Sequence, residues 1–75
     1  MTVTVCYFGL LAERRGLTDE RVTTAATTPG GLFAELGLGV SSSSLRAAVN
    51  DEFVPWDHPL KDGDSIALLP PMSGG

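Results

Sequence analysis

The residues best placed to do chemistry stand together at the C-terminal end, Leu69-Pro70-Pro71-Met72-Ser73-Gly74-Gly75, where a stiff apolar run gives way to two glycines. The reactive group this pattern offers is the α-carboxyl of Gly75. With a pKa of about 3.3–3.7 it is ionised at neutral pH, and its delocalised charge makes it a poor electrophile. Acyl chemistry there therefore requires activation from outside. Proline fixes φ near about −65° and donates no backbone hydrogen bond, so Pro70-Pro71 should stop the preceding strand and project the last four residues away from it. Residues 70–75 would reach roughly 20 Å if extended, at about 3.3–3.6 Å each. Lacking side chains, Gly74 and Gly75 could enter a channel too narrow for a larger residue. The expectation is a compact domain over residues 1–69 that holds out an extended tail over residues 70–75.

The other chemically able side chains lack companions. Cys6 lies in a strand pattern with no paired histidine and reads as a packing residue, not a nucleophile. His58 precedes Pro59 and reads as a turn or surface residue. The chain has one histidine and one cysteine, so nothing completes a metal set around it. Asp62 and Asp64 have calcium-like spacing without the long loop of oxygen ligands, and a turn is expected there. Gly30-Gly31 follow Pro29 but lack the lysine of a phosphate-binding loop. No Ser-His-Asp set and no paired carboxylates are present. These residues predict a protein with no self-contained active site, no metal and no bound cofactor.

The elements that must position the tail follow from periodicity. Thr2 to Phe8 alternates, with Val3, Val5 and Tyr7 on one side and Thr2, Thr4, Cys6 and Phe8 on the other, a strand pattern closed by Gly9. Leu10 to Arg15 reads as a short helix ended by Gly16, with basic residues suited to a helix C-terminus. Arg21 to Thr28 is rich in valine and threonine and predicts a half-exposed second strand antiparallel to the first. The main helix is expected over Leu32 to Leu36, after Pro29-Gly30-Gly31 and before Gly37. Ser41 to Ser44 reads as a surface loop. Leu45 to Val49 and Phe53 to Val54 flank an Asn50-Asp51-Glu52 turn, and Ser65 to Leu69 succeeds the Asp62-Gly63-Asp64 turn as the last strand. Strands with one substantial helix predict an α+β fold, a sheet packed on one face by that helix.

A single helix covers one face of a sheet. If Val3, Val5, Tyr7, Ile66 and Leu68 face it, then Cys6, Phe8, Ala67 and Leu69 point the other way, with Phe53 beside them. An open sheet face is normally polar. Phe8, Phe53 and Leu69 are therefore expected to form an apolar docking patch at the root of the tail.

Composition narrows the setting. At 75 residues the chain makes one domain with a modest core, and 43% hydrophobic residues place it far from disorder. A lone cysteine forms no internal disulfide, which fits a reducing cytoplasm. No membrane span or secretory signal is recognisable. A net charge of −4 with only five basic residues argues against nucleic acid as a partner.

Three strings carry a family likeness: Val5-Cys6-Tyr7-Phe8, Ala47-Ala48-Val49-Asn50, and Asp57-His58-Pro59-Leu60-Lys61-Asp62-Gly63-Asp64 with the tail Leu69 to Gly75. On these the chain resembles the ubiquitin-like β-grasp sulfur carriers, and among them the small subunits of molybdopterin synthase. The likeness spans almost the whole chain, and its terminal third is the distinctive part. Gly37 to Ser44 departs from the pattern, being short and serine-rich where members often carry a longer helical excursion. The resemblance implies a β-grasp fold with a mixed sheet. It implies a carrier whose Gly75 is adenylated by a ubiquitin-activating-type, ATP-dependent adenylyltransferase and converted to a thiocarboxylate with sulfur from a donor protein. The acceptor it implies is the large synthase subunit, two copies taking two tails in a heterotetramer and making molybdopterin from cyclic pyranopterin monophosphate. Within that scheme Gly74 gives clearance, Pro70, Pro71, Met72 and Ser73 align the tail, and Phe8, Phe53 and Leu69 dock. Carriers serving thiazole or cysteine synthesis, protein modifiers joined to lysines, and inert-tailed binding modules are the alternative readings.

Overall fold

The computed structural model describes residues 1–70, which form strands β1 (Thr2–Tyr7), β2 (Asp19–Thr23), β3 (Arg46–Val49), β4 (Glu52–Val54) and β5 (Ser65–Leu69). Helix α1 (Leu10–Arg15) comes after β1, and helix α2 (Pro29–Leu36) comes after β2. The strands make one mixed sheet in the order β2-β1-β5-β3-β4. β1 pairs antiparallel with β2 and parallel with β5, while β3 pairs antiparallel with both β5 and β4. This is the β-grasp layout that the resemblance implied, and it makes the last strand the central one.

Alternation decides the faces. Val3, Val5 and Tyr7 from β1 and Ile66 and Leu68 from β5 are buried in one cluster with Leu32 of α2 and Leu11 of α1. Phe33 and Leu36 pack against that cluster, and Phe33 also meets Trp56 at a ring separation of 5.5 Å. Each fully buried side chain of this size contributes about 1.5–3 kcal/mol by leaving water.

The sequence places the main helix three residues late. Thr28 caps it, its hydroxyl accepting from the Gly31 amide at 3.1 Å, and Pro29 takes the first helical position, where its missing N–H costs nothing. Gly30 and Gly31 are thus helical. A Cβ on Gly30 would sit 3.1 Å from the Trp56 carbonyl oxygen, so glycine permits the close approach by which the Gly30 amide donates to that oxygen at 2.8 Å. The second strand spans Asp19–Thr23, not Arg21 to Thr28. Its partner β1 begins at Thr2, opposite Thr23, and pairing ends one residue on, where Thr24 exchanges backbone hydrogen bonds with Met1. Thr24 then turns inward, its hydroxyl accepting from the Ala26 amide and donating to Glu35. The four-serine segment carries a 3₁₀ turn over Ser42–Ser44, begun by the Ser41 hydroxyl accepting from the Ser43 amide.

Two polar assemblies pin the frame. Asp64 accepts from the Lys61 amide at 2.8 Å and from the Asn50 side-chain amide at 3.0 Å, while the Asn50 side-chain oxygen accepts from the Ser65 amide. Asp62 accepts from the Thr2 amide at 2.7 Å. The turn before β5 is thereby tied to β1 on one side and to the β3–β4 hairpin on the other. The Lys61 amide, and then the Asn50 amide, hold the Asp64 carboxyl below the usual carboxylate range. At the opposite end of β1, Glu20 accepts from the Tyr7 hydroxyl at 2.6 Å and pairs with Arg15. Burial first, and then the bond to Glu20, push the Tyr7 phenol up to about 12, and the Tyr7 and Arg15 hydrogen bonds hold Glu20 low.

The hairpin turn has positive φ at both central residues, 50° at Asn50 and 72° at Asp51. Glycine adopts this freely, and among other residues only one with a short polar side chain tolerates it well. Asp51→Val is expected to destabilise the fold by about 1–2 kcal/mol in urea unfolding, and Asp51→Gly to leave it unchanged or more stable. The Tyr7–Glu20 pair sets a pH window. A raised phenol favours the folded state fully below its unfolded pKa of about 10, and that stability is lost as pH rises toward about 12. The lowered Glu20 contributes above the unfolded carboxyl value and loses its contribution as pH falls. Melting curves across pH should therefore show an alkaline decline that is much shallower in Tyr7→Phe and an acid decline that is shallower in Glu20→Gln.

Candidate functional site: the open sheet face and the tail root

The open face can be read from the ladder. One row across it runs Asp19, Cys6, Ala67, Ala48, Phe53, and the row beyond, nearer the tail, pairs Leu69 with Arg46. Phe53 is 59% exposed and Phe8 47% exposed, whereas Leu69 is half-buried. Pro70, exposed, continues directly from the central strand, so the chain leaves the sheet in the middle of its end. Pro71, Met72, Ser73, Gly74 and Gly75, to which the sequence assigns the tail chemistry, lie outside the described residues.

The three expected docking residues share the end and open face of the sheet but do not form one apolar patch. Phe8 stands at the end of β1 and lines a cavity of about 160 Å³ with Leu10, Leu11, Val40, Leu45 and Pro70. Its walls are almost wholly apolar, and Leu10 is 60% exposed at its rim. Phe53 lies on the outermost strand, two strands from Leu69, about 10 Å at the usual strand spacing. Arg46 stands between them, its guanidinium carbon 4.6 Å from the centroid of the Phe53 ring. Sequence reasoning missed Arg46, Leu10 and Val40. Pairing of Arg46 with Leu69 fixes its face, and this register is not visible in the strand's own pattern.

The remaining candidates serve the frame. Cys6 is half-buried on the open face, with its Sγ 3.8 Å from the Ser65 hydroxyl. His58 is half-buried in a turn, its amide donating to the Pro55 carbonyl oxygen, and it lines an open cavity of about 250 Å³ whose walls mix Asn50, Glu52, Lys61 and Asp64 with Val49 and Val54. Both Asp62 and Asp64 spend their carboxylates on backbone and amide donors. Among the described residues no group of three or more His, Cys, Asp or Glu could hold a metal ion, and no helix is long and apolar enough to cross a membrane. What this arrangement can do chemically is present a chain end, with aromatic and aliphatic surface around its root for another protein to grip.

Known proteins resemble this chain in sequence and fold. A family model described as the ThiS family matches residues 5–75. The molybdopterin synthase sulfur carrier subunit of Escherichia coli (strain K12) is 50% identical over 38 residues, 51% of this chain and 47% of that protein. That match thus spans about half the length of the curated relative. A solved protein–protein complex of subunits 1 and 2 of the molybdopterin-converting factor from Helicobacter pylori 26695 contains a chain 35% identical to this one, with TM-score 0.71 and all of both chains covered. The crystal structure of SAMP1 from Haloferax volcanii is 25% identical, with TM-score 0.78 and all of both chains covered.

Exposed Phe8 and Phe53 contribute less to the fold than core residues if their work is docking. Phe53→Thr should lower unfolding free energy by less than about 1 kcal/mol and Phe8→Ser, whose ring walls the apolar cavity, by about 1–2 kcal/mol, each leaving unfolding cooperative while weakening retention on a hydrophobic-interaction column. A loss of cooperative unfolding in either variant would assign the ring to the core instead.

Proposed function

Because the chain belongs to the ThiS family, we propose that it is a sulfur carrier for molybdopterin synthesis, working as the small subunit of a molybdopterin synthase. The observation that carries this reading is the 50% identity over 38 residues to the molybdopterin synthase sulfur carrier subunit of Escherichia coli, within a family match that runs through residue 75. The H. pylori complex of subunits 1 and 2 supports a large synthase subunit as the partner.

In this reading the chain contributes a carboxylate and a handle. A Gly75 carboxylate oxygen attacks the α-phosphorus of ATP held by the activating enzyme, and pyrophosphate leaves. The acyl carbon is then electrophilic, because it no longer shares a delocalised carboxylate charge, and AMP is a good leaving group, because it departs as a weakly basic phosphate anion. A hydrosulfide-equivalent nucleophile from a sulfur-donor protein displaces AMP, and the carbonyl carbon ends bonded to one oxygen and one sulfur. The acid, base and substrate-binding groups for the next step belong to the large subunit, and ATP is bound by the activating enzyme. The chain itself acts as carrier and co-substrate. Gly74 gives clearance and Pro70 to Ser73 align the tail, while Phe8, Leu69 and Phe53 dock it. A reducing cytoplasm suits the half-buried free thiol of Cys6.

A protein modifier is the second reading, favoured by a 25% identity to the Haloferax volcanii small archaeal modifier protein 1, and it uses the same activated carboxyl with a lysine amine as acceptor. The two readings part at the acceptor. The chain is to be combined with a large synthase subunit, the activating enzyme, ATP, a sulfur source and cyclic pyranopterin monophosphate, and molybdopterin measured. Wild type should form product, and deletion of Gly75 or a one-residue extension beyond it should abolish it. Product from the Gly75 deletion would overturn the assignment. Lysine-linked conjugates without product would move it to the modifier reading.

A further inference from the structure

An activated Gly75 is an acylating agent, and the nucleophiles closest to it in concentration are those of its own chain. Of the five basic residues, Arg14, Arg15, Arg21 and Arg46 are arginines, and Lys61 is the only lysine. A guanidinium stays protonated and only donates, whereas an amine that has shed its proton attacks an activated carbonyl. The half-buried thiol of Cys6 would give a thioester, which sulfide can reopen. An amide is final. The groups that could consume the tail for good are therefore the Lys61 side chain and the amino group of Met1.

Both stand at one end of the sheet, and the tail leaves at the other. β1 and β5 run parallel, so the starts of the two strands lie together and so do their ends. The Met1 amino group, just before β1, donates to the Thr24 carbonyl oxygen at 3.0 Å. Lys61 is fixed at the same end, its amide donating to Asp64 and the Gly63 amide beyond it donating to the Thr2 carbonyl oxygen at 2.8 Å. The six residues of β1 put about 20 Å between that end and the tail root. Residues 70–75 reach roughly 20 Å only when fully extended, and they would first have to reverse direction. On the tail side the cations are arginines. Arg46 pairs with Leu69 across the ladder, where such Cα atoms stand about 5 Å apart. Arg14 and Arg15 belong to α1, whose first turn walls a cavity with Pro70.

We propose that this distribution reserves the activated carboxyl for an incoming sulfur nucleophile. Arg46 supplies positive charge beside the tail root without an amine, and the parallel pairing of β1 with β5 keeps Lys61 and Met1 beyond the reach of Gly75. An amine in place of the Arg46 guanidinium would be joined to Gly75 by a short tether, at an effective concentration on the order of millimolar. Its nitrogen would bond to the Gly75 carbonyl carbon, the bond from that carbon to the AMP oxygen would break, AMP would leave, and the amine's proton would pass to water. The carboxyl would then be locked in a ring. The inference rests on the carrier reading and adds what protects the activated end between activation and sulfur transfer.

The test uses the whole chain with Gly75 as a C-terminal alkyl thioester, a stand-in for the activated carboxyl, held in dilute solution at mildly alkaline pH. Intact mass and peptide mapping follow its fate. Wild type should lose its thiol to water and finish at the mass of the free acid, with Lys61 and Met1 unmodified. Most of the Arg46→Lys variant should finish lighter by one water, with position 46 joined to Gly75, while Arg46→Gln should behave as wild type. Melting curves that match wild type show that both variants fold. An internal amide at Lys61 or Met1 in wild type, or complete hydrolysis of the Arg46→Lys thioester without an amide, would overturn the proposal. No activating enzyme takes part, so either result leaves the carrier reading intact. That reading falls separately if the activating enzyme catalyses no ATP–pyrophosphate exchange with the wild-type chain.

Discussion

The direction in which the tail leaves this fold hangs on the register of the central strand. β5 lies between β1 and β3, parallel to one and antiparallel to the other, and no local turn can set both registers at once. The Asp62-Gly63-Asp64 turn does so with side chains, one carboxylate taking the Thr2 amide and the other joining Lys61 to Asn50. A slip of one residue would turn Ile66 and Leu68 out of the core and bring Ala67 and Leu69 in. It would also rotate the start of the tail away from the face on which Phe53 and Arg46 stand. The acidic turn whose spacing is that of a calcium-site fragment therefore helps set where β5 ends and Pro70 leaves the sheet.

The fold divides its two faces between stability and contact. Tyr7, Leu32, Ile66 and Leu68 fill the covered side, and α1 is tied down there by the Arg15–Glu20–Tyr7 assembly. The other side keeps small residues, Ala48 and Ala67, in the centre of the sheet and places Phe53 at its edge. Small central residues leave the open face shallow. A partner can then lie close to the sheet and reach the tail root, while Phe8 and Pro70 edge an apolar cavity alongside.

Much of this architecture can be read from residue types alone. The two-residue period of Val3, Val5 and Tyr7 and of Ile66 and Leu68 assigns both faces of the central strands, and Gly16 marks the end of α1. Ser65 to Leu69 is bounded correctly because turn residues precede it and proline ends it. The misplaced elements have two causes: β2 ends where its pairing with the chain's first residues ends, whereas α2 starts at a local cap, Thr28 followed by Pro29, that the Gly30-Gly31 pair masks. Arg21 to Thr28 looks extended throughout, but its pairing stops at Thr24, whose backbone bonds Met1. Gly30 and Gly31 look like helix breakers, yet at Gly30 it is Trp56 that occupies the space a side chain would need. At the docking face the exposed rings are visible in the sequence and their grouping is not. The position of Arg46 over Phe53 follows from pairing of β3 with both its neighbours, and no pattern along Arg46 to Val49 reveals it.

If this sheet serves to hold out a carboxyl that carries sulfur, the sulfur must be found on the last residue. Intact-protein mass spectrometry looks for it there, on the chain with an untagged C-terminus after incubation with the activating enzyme, ATP and a sulfur source. The expected result is exchange of one oxygen for one sulfur, located by fragmentation on Gly75. An unchanged mass, with the same enzyme converting a known carrier in parallel, would contradict the carrier role.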